Sequence, residues 1–192
     1  MKLKIKICGI KEHSILSHLN FLKIDFFGLI FFNKSPRYVN NDEAINLINY
    51  KKNIYCKPVG VFYNHNHSEI FNILEKSKLK FIQLHGNEKN NYIDKIKKNF
   101  DVTVIKAIGI EKKSDLKKID EYSNSDIFLF DYKAKKNELP GGNAKVFNWS
   151  ILKNAKIQKP WFISGGINID NIKELLENLN PYGIDISSGV ED

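Results

Sequence analysis

Short β-rich runs, each followed by a stretch of helical pattern, recur along the whole chain, and this alternation restricts the fold more than any other feature. The predicted strands are Lys2 to Cys8, Phe26 to Phe31, Lys57 to Phe62, Lys80 to Leu84, Val102 to Ala107, Asp126 to Phe130, Trp161 to Ser164 and Gly183 to Ile186. Between them, "NDEAINLINYKK" carries Ala44, Ile45, Leu47 and Ile48 at helical spacing behind Asn41 or Asp42 as a cap. "HSEIFNILEKS" repeats the device with Ile70, Phe71 and Leu74 behind Ser68, and "NIDNIKELLENL" with Ile172, Leu175, Leu176 and Leu179. Strands that alternate with helices over short loops argue for a parallel sheet. Eight units close a (β/α)8 TIM barrel, and 192 residues is the small end of that fold. The rival is an open doubly wound sheet, which usually shows an early G-x-G-x-x-G turn; none follows the first strand. No linker or low-complexity tract interrupts the pattern, so a single α/β domain over residues 1–192 is expected.

The last predicted strand is followed only by "SSGVED", so the barrel is expected to lack its final outer helix. Leu3, Ile5 and Ile7 would then meet solvent or another chain. In "KIKICGI" the period of two sends Lys6 and Cys8 to the face opposite those apolar residues, into the barrel. A buried ammonium needs a carboxylate, and Asp185 on the strand that closes against the first is the candidate partner. Positive charge under Cys8 would favour its thiolate.

The formal net charge of +8 could suggest a nucleic-acid partner, but the basic residues are spread along the chain and Arg37 is the only arginine among 30. A solvated lysine-rich surface and no nucleic-acid partner are expected. No apolar run approaches the ~20 residues that span a bilayer, and the N-terminus has lysines threaded through its apolar residues, unlike a signal peptide. No membrane partner and a cytoplasmic location are expected. Cys8 and Cys56 are expected free, because a parallel sheet sets them at opposite strand ends about 15 Å apart.

Active sites of parallel barrels are built at the C-terminal ends of the strands. Here those ends supply Cys8, Arg37, His85, Asp131, Ser164 with Gly165 and Gly166, and Ser187, Ser188 and Gly189. "SGGI" and "SSGVE" are turns whose backbone N–H groups can surround a phosphate, helped by the positive end of a short helix. Their place after strands seven and eight is the common phosphate site of such barrels. The alternative is that Gly165 and Gly166 only permit a tight turn. Arg37 suggests a planar fork gripping a carboxylate or phosphate, a task lysine cannot share. Cys8 could be a buried small hydrophobe, but Gly9 beside it allows a substrate to approach. Asp131 closes the apolar run "DIFLFD", where a carboxylic acid can hold a proton for donation. A thiolate base and a carboxylic acid across one pocket form an acid/base pair. His85 either orients a polar group of the substrate or bonds to backbone. No metal site is expected, and "HNH" at 65–67 reads as capping or solvated surface.

In order along the chain, "KICGI", "GLIFFNKSPRYV", "VGVFYN", "IQLHGNE", "FLFDYK", "FNW", "FISGGI" and "GIDISSGVE" resemble the strand-end motifs of the phosphoribosylanthranilate isomerase family. The resemblance implies a (β/α)8 barrel and an aldose–ketose (Amadori) isomerase of tryptophan synthesis, acting on a phosphorylated small molecule without a cofactor, as a monomer or homodimer. It assigns Cys8 as general base and Asp131 as general acid, with Arg37 on the anthranilate carboxylate. Gly165, Gly166, Ser187, Ser188 and Gly189 would hold the phosphate, and His85 and Asp185 would touch the substrate. Two readings compete: the sister Amadori isomerase of histidine synthesis, whose family uses two aspartates, and a non-catalytic binder of phosphate ligands. The family's Gly-Gly-x-Gly is Gly141-Gly142-Asn143-Ala144 here, followed by Phe147-Asn148-Trp149. The change implies altered loop motion with the chemistry kept and Asn148 still capping a helix. The family also continues into a last helix beyond Asp192.

Overall fold

Side-chain alternation along each strand divides the apolar residues into an inner and an outer core, and the backbone closes around the inner one. The computed structural model describes residues 2–50, 55–135, 137–138 and 141–191. Its strands are β1 (Lys4–Cys8), β2 (Phe26–Ile30), β3 (Lys57–Phe62), β4 (Phe81–Leu84), β5 (Thr103–Ile110), β6 (Ile127–Tyr132), β7 (Trp161–Ile163) and β8 (Gly183–Ile186). All neighbours are parallel, and β8 returns to β1 to close the barrel in sequence order. The inner core is Phe26, Val59, Ile105, Ala107, Ile127, Leu129 and Phe162, one side chain or two from each of five strands. Phe27, Leu29, Val104 and Ile108, one register off, face outward against the helical layer.

That layer contains α1 (His13–Phe21), α2 (Asn41–Ile48), α3 (His67–Ser77), α4 (Asn90–Asn99) and α5 (Ile172–Asn178), with 3₁₀ segments at Lys113–Tyr122, Trp149–Leu152 and Ser188–Val190. The caps differ from those expected. Asn40 and Asn66, each one residue before its helix, close capping boxes with Glu43 and Glu69. Ser68 instead donates to the Asn66 side chain at 2.6 Å. The "HNH" stretch therefore serves a helix start, and His67 stacks on Tyr92 at 4.3 Å. Asn168 to Asn171 form a turn ahead of α5 in place of a longer helix. Lys51 and Lys52, at the end of the predicted helix "NDEAINLINYKK", lie outside the described residues. Cys8 and Cys56 are both free.

β5 and β6 run further than predicted. Their ladder continues through Gly109–Asp131 and Ile110–Tyr132, so Asp131 is held inside a strand instead of following one. At the β8–β1 seam, Ile5 and Ile7 are half-buried and pack against both outer clusters, and Leu3 against one of them.

Asp25 anchors the opposite end of the barrel. It accepts from Lys4 Nζ at 2.8 Å, the Ile5 N–H at 3.0 Å and the Tyr55 hydroxyl at 3.2 Å. Burial raises its proton affinity, but these donors together hold the carboxyl below the usual carboxylate range. A depressed folded value gives stability that is present above the unfolded value and lost as pH falls through the folded one. Asp25→Ala should therefore cost about 1–3 kcal/mol at neutral pH, chiefly through the orphaned N–H. The difference in denaturant midpoint from wild type should shrink once pH drops below the ordinary 3.8. A difference that stays constant down to that range would contradict this.

Candidate active site

Three glycines let the strand ends approach one another. A Cβ on Gly28 would lie 2.6 Å from Cys8 Sγ, so β2 leaves the thiol its space. A Cβ on Gly9, at φ +95, would lie 2.3 Å from Arg37 Cδ, so the arginine lies across that backbone. A Cβ on Gly189 would meet the Ile167 carbonyl oxygen at 1.9 Å, which brings the turns after β7 and β8 into direct contact.

Cys8, Arg37, Gln83, His85, Asp185 and Ser187 line one cavity of about 60 Å³. Asp131, Gly165, Gly166, Ser188 and Gly189 line a second, of about 20 Å³. The two share Asp185, Ser187, Gly141 and Gly142. They form one narrow cleft with Cys8 in its first lobe and Asp131 in its second. A wider hollow of about 610 Å³, lined by residues such as Asp94 and Lys159, lies away from these strand ends and holds none of the predicted residues.

Beneath the cleft, Lys6 Nζ donates to both Asp185 oxygens at 2.8 and 2.9 Å, the pairing read from strand alternation. Burial opposes the charge on Lys6, yet Asp185 and Cys8 outweigh it and hold the ammonium protonated. The expectation for Cys8 is corrected. Burial dominates there and Lys6 offsets only part of it, so the thiol is pushed up to about 11 and is protonated at neutral pH in the ligand-free protein.

Asp131 takes the N–H of Tyr132 on Oδ1 at 2.7 Å and faces His85 Nε2 with Oδ2 at 3.4 Å. The amide nitrogen of Gln83 lies 3.0 Å from His85 Nδ1, which leaves the ring proton on Nε2, toward Asp131. Gln83 is fully buried and its Oε1 has no partner among the described residues. Periodicity would have placed it on the inward face two residues before His85, but an amide inside an apolar strand gave no chemical signal. Arg37 does offer its fork to a carboxylate, but that of Glu191: Nε donates to Oε1 at 2.5 Å and Nη2 to Oε2. Glu191 is an exposed residue 154 positions away along the chain, and only the fold brings it to Arg37.

Gly165 and Gly166 take φ values of +89 and +63. Among the described residues, no hydrogen bond engages the N–H groups of Gly165, Gly166, Ser188 or Gly189. Ser187 Oγ donates to the Cys8 carbonyl at 3.0 Å and ties β8 to β1 at the rim. Ala144 keeps a left-handed φ of +52, so the loop retains the conformation a glycine would take at a cost of about 1–2 kcal/mol. Asn148 caps the following 3₁₀ segment through the Ser150 N–H at 3.1 Å.

Residues 5–192 match the family model described as N-(5'phosphoribosyl)anthranilate (PRA) isomerase. The chain belongs to the PRA isomerase family. It is 42% identical over 188 residues to the N-(5'-phosphoribosyl)anthranilate isomerase of Caldanaerobacter subterraneus subsp. tengcongensis, covering 98% of this chain and 89% of that one. The Rhizobium etli strain CIAT 652 relative of the same name is 38% identical over 193 residues, with 100% and 86% covered. Among solved structures, phosphoribosyl anthranilate isomerase from Thermotoga maritima superposes with a TM-score of 0.86 at 28% identity, covering 99% and 90%. A PRA isomerase in complex with reduced 1-(o-carboxyphenylamino)-1-deoxyribulose 5-phosphate superposes at 0.83 and 26% identity, covering 99% and 89%.

The proton on Cys8 gives a direct test. In a Cys56→Ala background, alkylation of Cys8 by iodoacetamide in the ligand-free protein should accelerate with pH toward a midpoint near 11. A midpoint below about 8 would mean that Lys6 outweighs burial.

Proposed function

We propose that this member of the PRA isomerase family converts N-(5-phosphoribosyl)anthranilate to 1-(2-carboxyphenylamino)-1-deoxyribulose 5-phosphate, the third step of tryptophan synthesis from chorismate, with Cys8 and Asp131 as its base and acid. The observation that carries the assignment of residues is the pair's position in adjoining lobes of one cleft, between an arginine and a set of free backbone N–H groups. The phosphate is held by the N–H groups of Gly165, Gly166, Ser188 and Gly189, which have no other partner among the described residues. The anthranilate carboxylate takes the Arg37 fork in place of Glu191. Gln83 Oε1, the unpaired buried acceptor, receives a sugar hydroxyl.

Asp131 protonates the ribose ring oxygen. The C–O bond breaks as the anilino nitrogen's lone pair forms a C=N bond, giving a protonated Schiff base. His85, whose Nε2 faces the Asp131 carboxylate at 3.4 Å, steadies the carboxylate left behind. Cys8 then removes the proton from the adjacent sugar carbon, and its electrons form the C=C bond of an enolamine, which tautomerises to the ketone. Before this step Cys8 releases its own proton to solvent and becomes thiolate, which the positive charge of the Schiff base, added to that of Lys6, favours at the moment the base is needed. Positioned acids and bases of this kind each contribute ~10²–10⁴-fold.

The chain works as one domain, as a monomer or homodimer, without nucleic acid, membrane or cofactor. No described helix is long and apolar enough to cross a membrane. Two free thiols suit the cytoplasm.

Loss of phosphoribosylanthranilate fluorescence on adding the protein tests the activity. Cys8→Ala and Asp131→Asn should each lower turnover by at least ~10²-fold with circular dichroism unchanged. Near-wild-type rates in both would refute the assigned roles.

A further inference from the structure

Outside the cleft, on the outward face of β5, lies a fully buried lysine that the mechanism does not use. Lys106 has no exposed surface, and Glu88, its partner at 3.1 Å, has a side chain only 2% exposed. A buried ion pair is often no more stabilising than apolar residues of the same volume, so its presence points to a geometric task. The contacts show which task. Lys106 Nζ also donates to the carbonyls of Leu84 at 3.0 Å and Gly86 at 2.7 Å, the residues on either side of His85. Glu88 Oε1 accepts the N–H of Gly86 at 3.2 Å and that of Asn64, after β3, at 2.8 Å. The Tyr122 ring lies 5.0 Å from the ammonium and closes its remaining side. His85 itself donates its N–H to the Phe62 carbonyl at 2.8 Å. Both peptide units flanking His85 are thus fixed from outside the barrel, while its ring reaches Asp131 from inside.

We infer that Lys106 and Glu88 are positioning residues that act through His85, clamping the β4–α4 turn so that the imidazole Nε2–H meets the Asp131 carboxylate. The inference rests on the acid role proposed for Asp131. At 3.4 Å the His85–Asp131 contact is already long, so a slack turn would break it. A displacement of this size affects the chemical step more than the grip on substrate, because neither residue lines the cleft.

The test combines kinetics with a spectroscopic reading that needs no substrate. Lys106→Met should lower kcat about tenfold with KM within about twofold, and Glu88→Gln, of unchanged shape, should do the same to a smaller degree. In a His85→Ala background the added effect of Lys106→Met should be under about twofold, since the clamp would have nothing left to aim. Nitrogen NMR of the ligand-free protein should show the His85 ring signals moving in both variants, away from the Nε2-protonated pattern, while those of His13 and His18 stay fixed. An equal loss of kcat in both backgrounds, or unmoved His85 signals, would overturn the clamp. Should Lys106→Met fail to fold, Glu88→Gln and the NMR reading decide alone. If wild type fails to turn over phosphoribosylanthranilate, the proposed function fails, and the His85 signals still judge the clamp.

Discussion

The ion pair between Lys6 and Asp185 is the interaction on which the barrel's chemistry depends. The two residues are direct register partners across the β1–β8 seam, where the sheet must close. Neither charge tolerates this depth alone, because burying an unpaired ion costs several kcal/mol. Together they select one register, since a slip by one residue would turn Lys6 out of the barrel and Ile5 or Ile7 into it. Closing the seam this way also delivers Cys8, two residues on, to the inner rim, and Ser187, two residues past Asp185, to its carbonyl. One pairing therefore sets both the topology and the position of the Cys8 thiol.

The same pairing limits what Lys6 can do for the thiol. Most of its charge is spent against Asp185, so desolvation governs Cys8 until another cation arrives. In the proposed reaction the substrate brings one when its ring opens. Under that proposal, a thiol held protonated until the Schiff base forms is protected from adventitious alkylation and oxidation, which attack thiolates. The narrowness of the cleft belongs to the same logic. Glu191 neutralises Arg37, Gly141 lies over His85 and Asp131, and Gly142 lies against the Arg37 guanidinium, so the two lobes are closely lined.

Much of this was legible in the sequence because it follows from a period of two. Alternation put Lys6 and Cys8 on one face, and closure named Asp185. The ladder through Gly109 was not legible, since a glycine near a strand end reads as a stop, yet a side chain there would meet Lys133 at 3.1–3.3 Å and the strand continues past it. Caps were misplaced by one or two residues because several asparagines and serines in a row can each serve, and only backbone geometry chooses. The thiol's protonation went the other way from expectation because charge proximity is visible in a sequence and depth is not. Glu88, Lys106 and Glu191 look like ordinary surface charges in a lysine-rich chain; tertiary packing alone buries the first two and brings the third to Arg37.

In the proposed reaction Cys8 and Asp131 address one sugar chain from its two sides. A crystal structure of this protein with reduced 1-(o-carboxyphenylamino)-1-deoxyribulose 5-phosphate tests it most directly. The phosphate is expected on the Gly165, Gly166, Ser188 and Gly189 N–H groups and the carboxylate on Arg37 with Glu191 displaced. The sugar carbons would lie between the thiol and the carboxyl group. A ligand seated elsewhere, or one that leaves either group out of reach of those carbons, would contradict it.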